Sequence, residues 1–205
     1  MAQRTIARER RDRGSSTTPA TEEAASGRVV SLVFPERVLR QAHRVSTSGA
    51  RRRRPIPLPP ETEDRCRALL ERLRWPDGVW CLRCGTGRGI APIDSRGQFE
   101  CTACGYQFSV RVGTAFHGSH LPLAKWLLAV YLLAHDGEQI TANALQEALG
   151  VSYKTAWHLR RRIRAVMQEA GASDDLGSAR ADVRELLKRL LEVEPLPTTP
   201  LVRSA

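Results

Sequence analysis

Four of the five cysteines stand in two pairs at metal-ligand spacing, Cys81-Leu82-Arg83-Cys84 and Cys101-Thr102-Ala103-Cys104. Each C-x-x-C is a tight turn that aims two sulfurs at one point. Two such turns, separated by 16 residues, close a tetrahedron around one zinc ion. Sulfur fills all four positions and leaves none for water, so the expected cofactor is one structural Zn2+ and not a catalytic one. Two disulfides would need an oxidising compartment, and Met1 to Arg13 is too charged to be a secretory signal. A redox C-x-x-C occurs singly near a βαβ pattern, and no such pattern follows. Cys66, the fifth cysteine, lies on an apolar stripe and reads as a core thiol rather than a further ligand. His117 and His120 have no carboxylate or third histidine beside them, so they read as loop residues or phosphate contacts rather than a second metal site.

A second set of residues offers charge rather than coordination. The segment Tyr153 to Arg164 combines Tyr153, Lys154, Thr155 and His158 with Arg160, Arg161, Arg162 and Arg164. The chain carries a net +10, and residues 1–60 alone hold 13 arginines against 5 acids. A cationic chain is drawn to a polyanion, and nucleic acid is the commonest. Only three of the 32 basic residues are lysine, so arginine content by itself is a weak argument. Arg83, Arg88 and Arg111 either contact phosphate or offset the net −2 of four thiolates around Zn2+. No run of about 18 apolar residues occurs, so no membrane span is expected. Nothing points to a small-molecule substrate.

The elements that must position these groups follow from periodicity. Residues 1–60, rich in Arg, Ser and Pro, bury too little to offset chain entropy and are expected to form a disordered basic tail. Thr62 is a plausible N-cap for a helix with Cys66, Leu69, Leu70 and Leu73 on one stripe. Ser95-Arg96-Gly97 is a turn, and alternation over Gln98–Glu100 and over Gln107–Val112 predicts a small antiparallel ribbon. Residues 61–118 thus form a helix plus zinc ribbon. A helix carrying Leu123, Trp126, Leu127, Val130, Tyr131 and Ala134 follows and ends near Asp136. Thr141 caps a short helix that Gly150 stops, and Ser152 caps a longer basic helix running towards Ala170. Residues 119–170 therefore read as a helix-turn-helix unit, with Ala156 allowing close approach and Leu159 and Ile163 facing the core. Gln146 stands where that pattern prefers a small residue. Residues 171–205 are a linker and an amphipathic helix with Val183, Leu186, Leu187, Leu190 and Leu191 on one face. That face either folds back or forms a homodimer. The fold class is mainly α with a small β zinc ribbon.

About half the chain, from Thr62 to Ala165, resembles the N-terminal part of bacterial insertion-sequence transposases of the ISXO-like DDE type with a transposase zinc-ribbon domain. The resemblance is carried by Leu73-Arg74-Trp75-Pro76-Asp77-Gly78, by Cys81-x-x-Cys84-Gly85, and by Tyr106-Gln107-Phe108-Ser109-Val110-Arg111-x-Gly113-Thr114-x-Phe116. Ser119, Leu121-Pro122-Leu123, Trp126, Tyr131, Leu149-Gly150-Val151-Ser152, Lys154-Thr155-Ala156-Trp157 and Arg162-Ile163-Arg164 complete it. Leu82 departs from the usual proline without touching a ligand. The family implies a following ribonuclease-H-like catalytic domain with three carboxylates and two divalent metals. Only 35 residues follow Ala170, and no β-rich segment with spaced acids appears among them. No catalytic residue is assigned, and the chain is not expected to be an enzyme by itself. The expected function is that of a transposase-derived, zinc-ribbon, double-stranded-DNA-binding protein, cytoplasmic and nucleoid-associated. It would be a truncated element or one completed by a catalytic domain on another polypeptide. The alternative is a transcription regulator or protein-interaction ribbon. Tyr153, Lys154, Thr155 and His158 would lie nearest the bases, and Arg160, Arg161, Arg162 and Arg164 would neutralise phosphates.

Overall fold

The chain is described from a computed structural model, over residues 31–47, 54–136, 140–171 and 183–192. Helix α1 spans Glu36–Thr47 and α2 spans Glu61–Arg74. The ribbon strands are β1 (Ile90–Ile93), β2 (Gln98–Cys101) and β3 (Gln107–Phe108). Helices α3 (Leu123–Asp136), α4 (Ala142–Leu149), α5 (Tyr153–Gly171) and α6 (Val183–Glu192) follow.

Helix α3 is the axis of the fold. Its sequence, LAKWLLAVYLLAHD, is apolar nearly all round, and such a helix needs neighbours on every side. It has them: α1, α2, α4, α5 and α6 all pack on it, and Trp126 through Ala134 are buried without interruption. The ribbon is an antiparallel sheet in the order β1-β2-β3, with Ile90 opposite Cys101 and Phe99 opposite Phe108. Pro92 has no N–H to give a ladder, and it lies on the edge strand β1. A single turn of 3-10 helix at Asp94–Arg96, closed by left-handed Gly97, makes the predicted hairpin turn. The second predicted alternation is shorter than expected. Only Gln107 and Phe108 pair, and Ser109 to Gly113 form turns.

Two sequence expectations are corrected. The tail over 1–60 contains ordered structure in its second half: α1 forms, and Val33, Phe34, Val38, Ala42 and Ile56 are buried. Its apolar residues are too sparse to fold alone but sufficient to cover α3 and α4, a tertiary contact that local composition does not register. Residues 1–30 and 48–53 of that expected tail lie outside the described residues. Thr62 does not cap α2. Pro60 occupies the cap position, and Thr62 is buried one residue into the helix, its hydroxyl unpartnered among the described residues. Of the two readings of the α6 apolar face, the structure shows the fold-back. Val183, Leu186, Leu187, Leu190 and Leu191 are all buried against α2, α3 and α5. The Leu190 carbonyl also accepts the Ala115 N–H at 2.9 Å. Much of the expected 171–177 linker lies outside the described residues.

Candidate metal centre and basic face

The two knuckles have the same local construction. In each, the N–H of the residue after the second cysteine, Gly85 or Gly105, donates to the carbonyl of the first cysteine, at 2.9 and 2.8 Å. The first cysteine's own N–H reaches forward to Thr86 O at 2.8 Å, or to Tyr106 O at 3.0 Å. Both glycines are left-handed, at φ 73° and 66°, a conformation that a side chain would strain. Thr102 ties the knuckles together: its N–H and its hydroxyl both donate to Gly89 O, at 2.9 and 3.1 Å.

This construction brings the four Sγ atoms of Cys81, Cys84, Cys101 and Cys104 within 4.8 Å of one another. The Cys81–Cys104 and Cys84–Cys101 sulfur separations are 3.6 and 3.7 Å. A tetrahedron with Zn–S of about 2.3 Å has S–S edges of about 3.8 Å, so the donor set fits zinc. A disulfide would need about 2.05 Å, and all five cysteines are free. The four cysteines form a zinc-binding site in a zinc ribbon, consistent with one structural zinc. Burial raises the Cys81 thiol. Hydrogen bonds from the Cys84 and Arg83 amides, and from the Cys84 and Cys104 thiols, outweigh it and bring it from the ordinary 9.0 down to about 6. At Cys104 the Tyr106 amide lowers the thiol, but desolvation and the three neighbouring sulfurs push it up to about 12. Cys66 stands apart as predicted. It is fully buried, and burial pushes its thiol well above the usual range.

An aromatic group, Trp75, Phe99, Tyr106 and Phe108, packs the ribbon against the end of α2 with ring centroids 5.7–6.0 Å apart. Arg83 lies over the Tyr106 ring at 4.8 Å. The firmest link between ribbon and helices is polar. The Glu63 carboxylate on α2 accepts the N–H groups of Leu123 and Ala124, both at 2.8 Å, and so caps α3 from outside its own chain segment. Arg111 pairs with the same carboxylate at 3.0 Å and donates to Ser119 O and Leu121 O, each at 3.0 Å. The two readings left open for Arg111 are therefore replaced by a third, a structural clamp. His117 accepts the Gly113 N–H through Nδ1 at 3.3 Å, as a loop residue would. Among the described residues, the four cysteines are the group that could hold a metal.

The α4–α5 joint follows the predicted chemistry. Thr141 accepts the Ala144 N–H at 3.2 Å, Gly150 is left-handed at φ 59°, and Ser152 Oγ accepts the Thr155 N–H at 3.1 Å. Ala156, Leu159 and Ile163 face the core. The predicted basic residues divide. Tyr153, Lys154, His158 and Arg161 are exposed, and Thr155 is half-buried. Arg160 donates through Nε to Ile140 O at 2.7 Å. Arg162 donates to Ala115 O at 2.7 Å and lies over Trp126 at 5.8 Å, and half-burial pulls its pKa below the usual range. Arg164 is half-buried. Arg160 and Arg162, both expected on phosphate, are thus engaged with the protein's own carbonyls. Trp157, absent from the predicted contact set, is 40% exposed on the same face as Tyr153, which is 52% exposed. Arg161 lies over the Trp157 ring at 5.5 Å.

A model of the transposase zinc-ribbon domain matches residues 61–107, the span of α2, both knuckles and the start of β3. Over that span the chain is similar to a transposase zinc ribbon. Over 109 residues the chain is 33% identical to a protein of Halobacterium salinarum described as an uncharacterized protein in transposable element ISH50. That match takes in 51% of this chain and 36% of the relative, so the chain spans about a third of the relative's length. No solved structure matches the chain. The matched span begins with the helix that carries Glu63 and ends just short of Arg111. The clamp formed by these two residues therefore joins the matched domain to the helices beyond it.

Proposed function

We propose that the protein binds double-stranded DNA as the end-recognising part of an insertion-sequence transposase, with α4 and α5 acting as a helix-turn-helix. The observation that carries this reading is the exposed face of α5, where Tyr153, Lys154, Trp157, His158 and Arg161 lie together on the side away from the core. Its first turns, just after the Ser152 cap, would enter a major groove. Tyr153, Lys154, Trp157 and His158 would meet base edges, and Arg161 would meet phosphate. Arg160 and Arg162 hold α5 at its angle by donating to Ile140 O and Ala115 O. The ribbon acts as a rigid mount. Zinc bound by Cys81, Cys84, Cys101 and Cys104 supplies the cross-link that folds it, with no open coordination position. Glu63 and Arg111 carry that rigidity to the N-terminus of α3, whose Trp126 lies against Arg162 of α5.

The test is selection of preferred sequences from a random duplex pool by the full chain, repeated with Lys154→Ala/His158→Ala and with Arg161→Gln. The first variant relaxes the selected sequence, at about 1–3 kcal/mol for each base edge no longer read. The second keeps the sequence and weakens binding to all duplexes. Identical selected sequences and affinities for all three proteins would refute the assignment of this face.

A further inference from the structure

We propose that the cleft between α1 and the segment just before α2 is a second binding site for the DNA backbone, apart from the exposed face of α5. It rests on the duplex-binding reading and adds a place where phosphates are held. Arg37, Arg40 and Arg44 stand at i, i+3 and i+7, on one stripe of α1. Arg54 faces them across a cleft of about 610 Å3, with Ile56 and Ala148 contributing apolar lining. All four arginines are exposed.

The arrangement is held in place, unlike a loose basic tail. Val38 and Ala42, on the other side of α1, are buried against the core. The opposite wall is anchored too: Ile56 donates its N–H to Ala148 O at 2.9 Å, and Pro55 lies directly over Gly150. The wall that carries Arg54 is thus fixed to the α4–α5 turn, and the cleft and the α5 face belong to one body.

Charge and shape select the ligand class. The described residues here, 36–47 and 54–58, hold four arginines and one acid, so the cleft calls for a polyanion. The acid, Glu36, pairs with Arg40 at 3.0 Å, but the two side chains are 77% and 69% exposed. Such a pair is worth little, and an arriving phosphate replaces it. Arg37 to Arg44 spans about 10 Å along the helix. Successive phosphates of one DNA strand advance about 3.4 Å along the axis while winding round it, so the row is long enough to meet two or more of them. A guanidinium fork accepts phosphate oxygens in pairs. A row of forks in an open cleft suits a continuous backbone better than one small anion, which would occupy only one end.

The experiment is a salt titration of the zinc-loaded full chain on random duplex, followed by fluorescence anisotropy. Wild type is compared with Arg37→Gln/Arg40→Gln/Arg44→Gln and, separately, with Arg54→Gln. Zinc content and melting temperature verify that both variants fold. The triple variant should lower the log–log salt slope by roughly 2–3, at about 0.9 per phosphate contact, and Arg54→Gln by roughly 1. Preference for a selected sequence over random duplex should not change, since phosphate contacts carry no sequence. If the wild type binds and both variants keep its slope, the cleft proposal is wrong while the α5 reading stands. If the wild type binds no duplex even at low salt, the functional reading fails and the cleft proposal with it.

Discussion

Replacing Glu63 by alanine should destabilise the protein far more than an exposed acid at a helix start would suggest. The carboxylate accepts two backbone N–H groups at the N-terminus of α3 at 2.8 Å and pairs with Arg111 at 3.0 Å. Removal strands two first-turn donors of the central helix. Each is equivalent to a missing cap, about 1 kcal/mol. The ion pair adds about 0.5–1 kcal/mol and no more, because Glu63 is 37% and Arg111 26% exposed, which admits solvent screening. The sum is about 3 kcal/mol. At roughly 2–4 °C per kcal/mol for a chain of this size, melting falls by about 6–12 °C. Glu63→Gln keeps one acceptor oxygen and should lose about half as much. The assay is thermal and urea unfolding of zinc-loaded protein, with Arg111→Ala and the double variant completing a cycle. The two losses should be less than additive, since both variants break one clamp. A shift of less than about 2 °C for Glu63→Ala, or strict additivity with Arg111→Ala, would refute the clamp.

Arg162→Met should lower stability by about 1–3 kcal/mol in urea unfolding, because it strands the Ala115 carbonyl, whereas Arg161→Gln should leave unfolding unchanged. Gly150→Ala should cost about 2–4 kcal/mol: a left-handed φ of 59° is strained for alanine, and its Cβ would come 2.7 Å from the Pro55 ring. Zinc affinity, followed with a chelator across pH, should weaken as pH falls. Cys81 is already a thiolate above about pH 6 and must lose a proton to bind metal only below it. The slope should therefore steepen by one tenfold step per pH unit on passing down through about pH 6. Cys66 should remain unreacted with thiol reagents in the folded, zinc-loaded chain and react after unfolding, which mass spectrometry of labelled peptides reads directly.

What could be read from the sequence was what local chemistry determines. The knuckle spacing located the ribbon, and the Thr141, Gly150 and Ser152 signals located the α4–α5 joint, because caps and left-handed turns depend on residues within one turn of each other. Long-range partners were not legible. Glu63 looked like an ordinary first-turn acid, and its partners lie 48 to 61 residues away. Arg160 and Arg162 looked like members of a basic run. Helical periodicity alone could have separated them from Arg161, since Leu159 and Ile163 already marked the inward side. The same periodicity would have added Trp157 to the exposed face with Tyr153 and Arg161. Helix α1 was missed for a different reason. Val38 and Ala42 are buried where α1 packs on α3 and α4, so composition over residues 1–60 pointed to a tail.

The central claim is that α5 binds duplex DNA through its exposed face while the zinc ribbon holds it in place. Its most direct test is a titration of the zinc-loaded full chain into labelled duplex at low salt, beside Tyr153→Ala/Lys154→Ala/Arg161→Gln and the chelator-treated wild type. The account predicts saturable binding by the zinc-loaded wild type, at least tenfold weaker binding by the triple variant with its melting temperature unchanged, and loss of binding once zinc is removed. Wild-type affinity retained by the triple variant, or no binding by the zinc-loaded wild type, would contradict it.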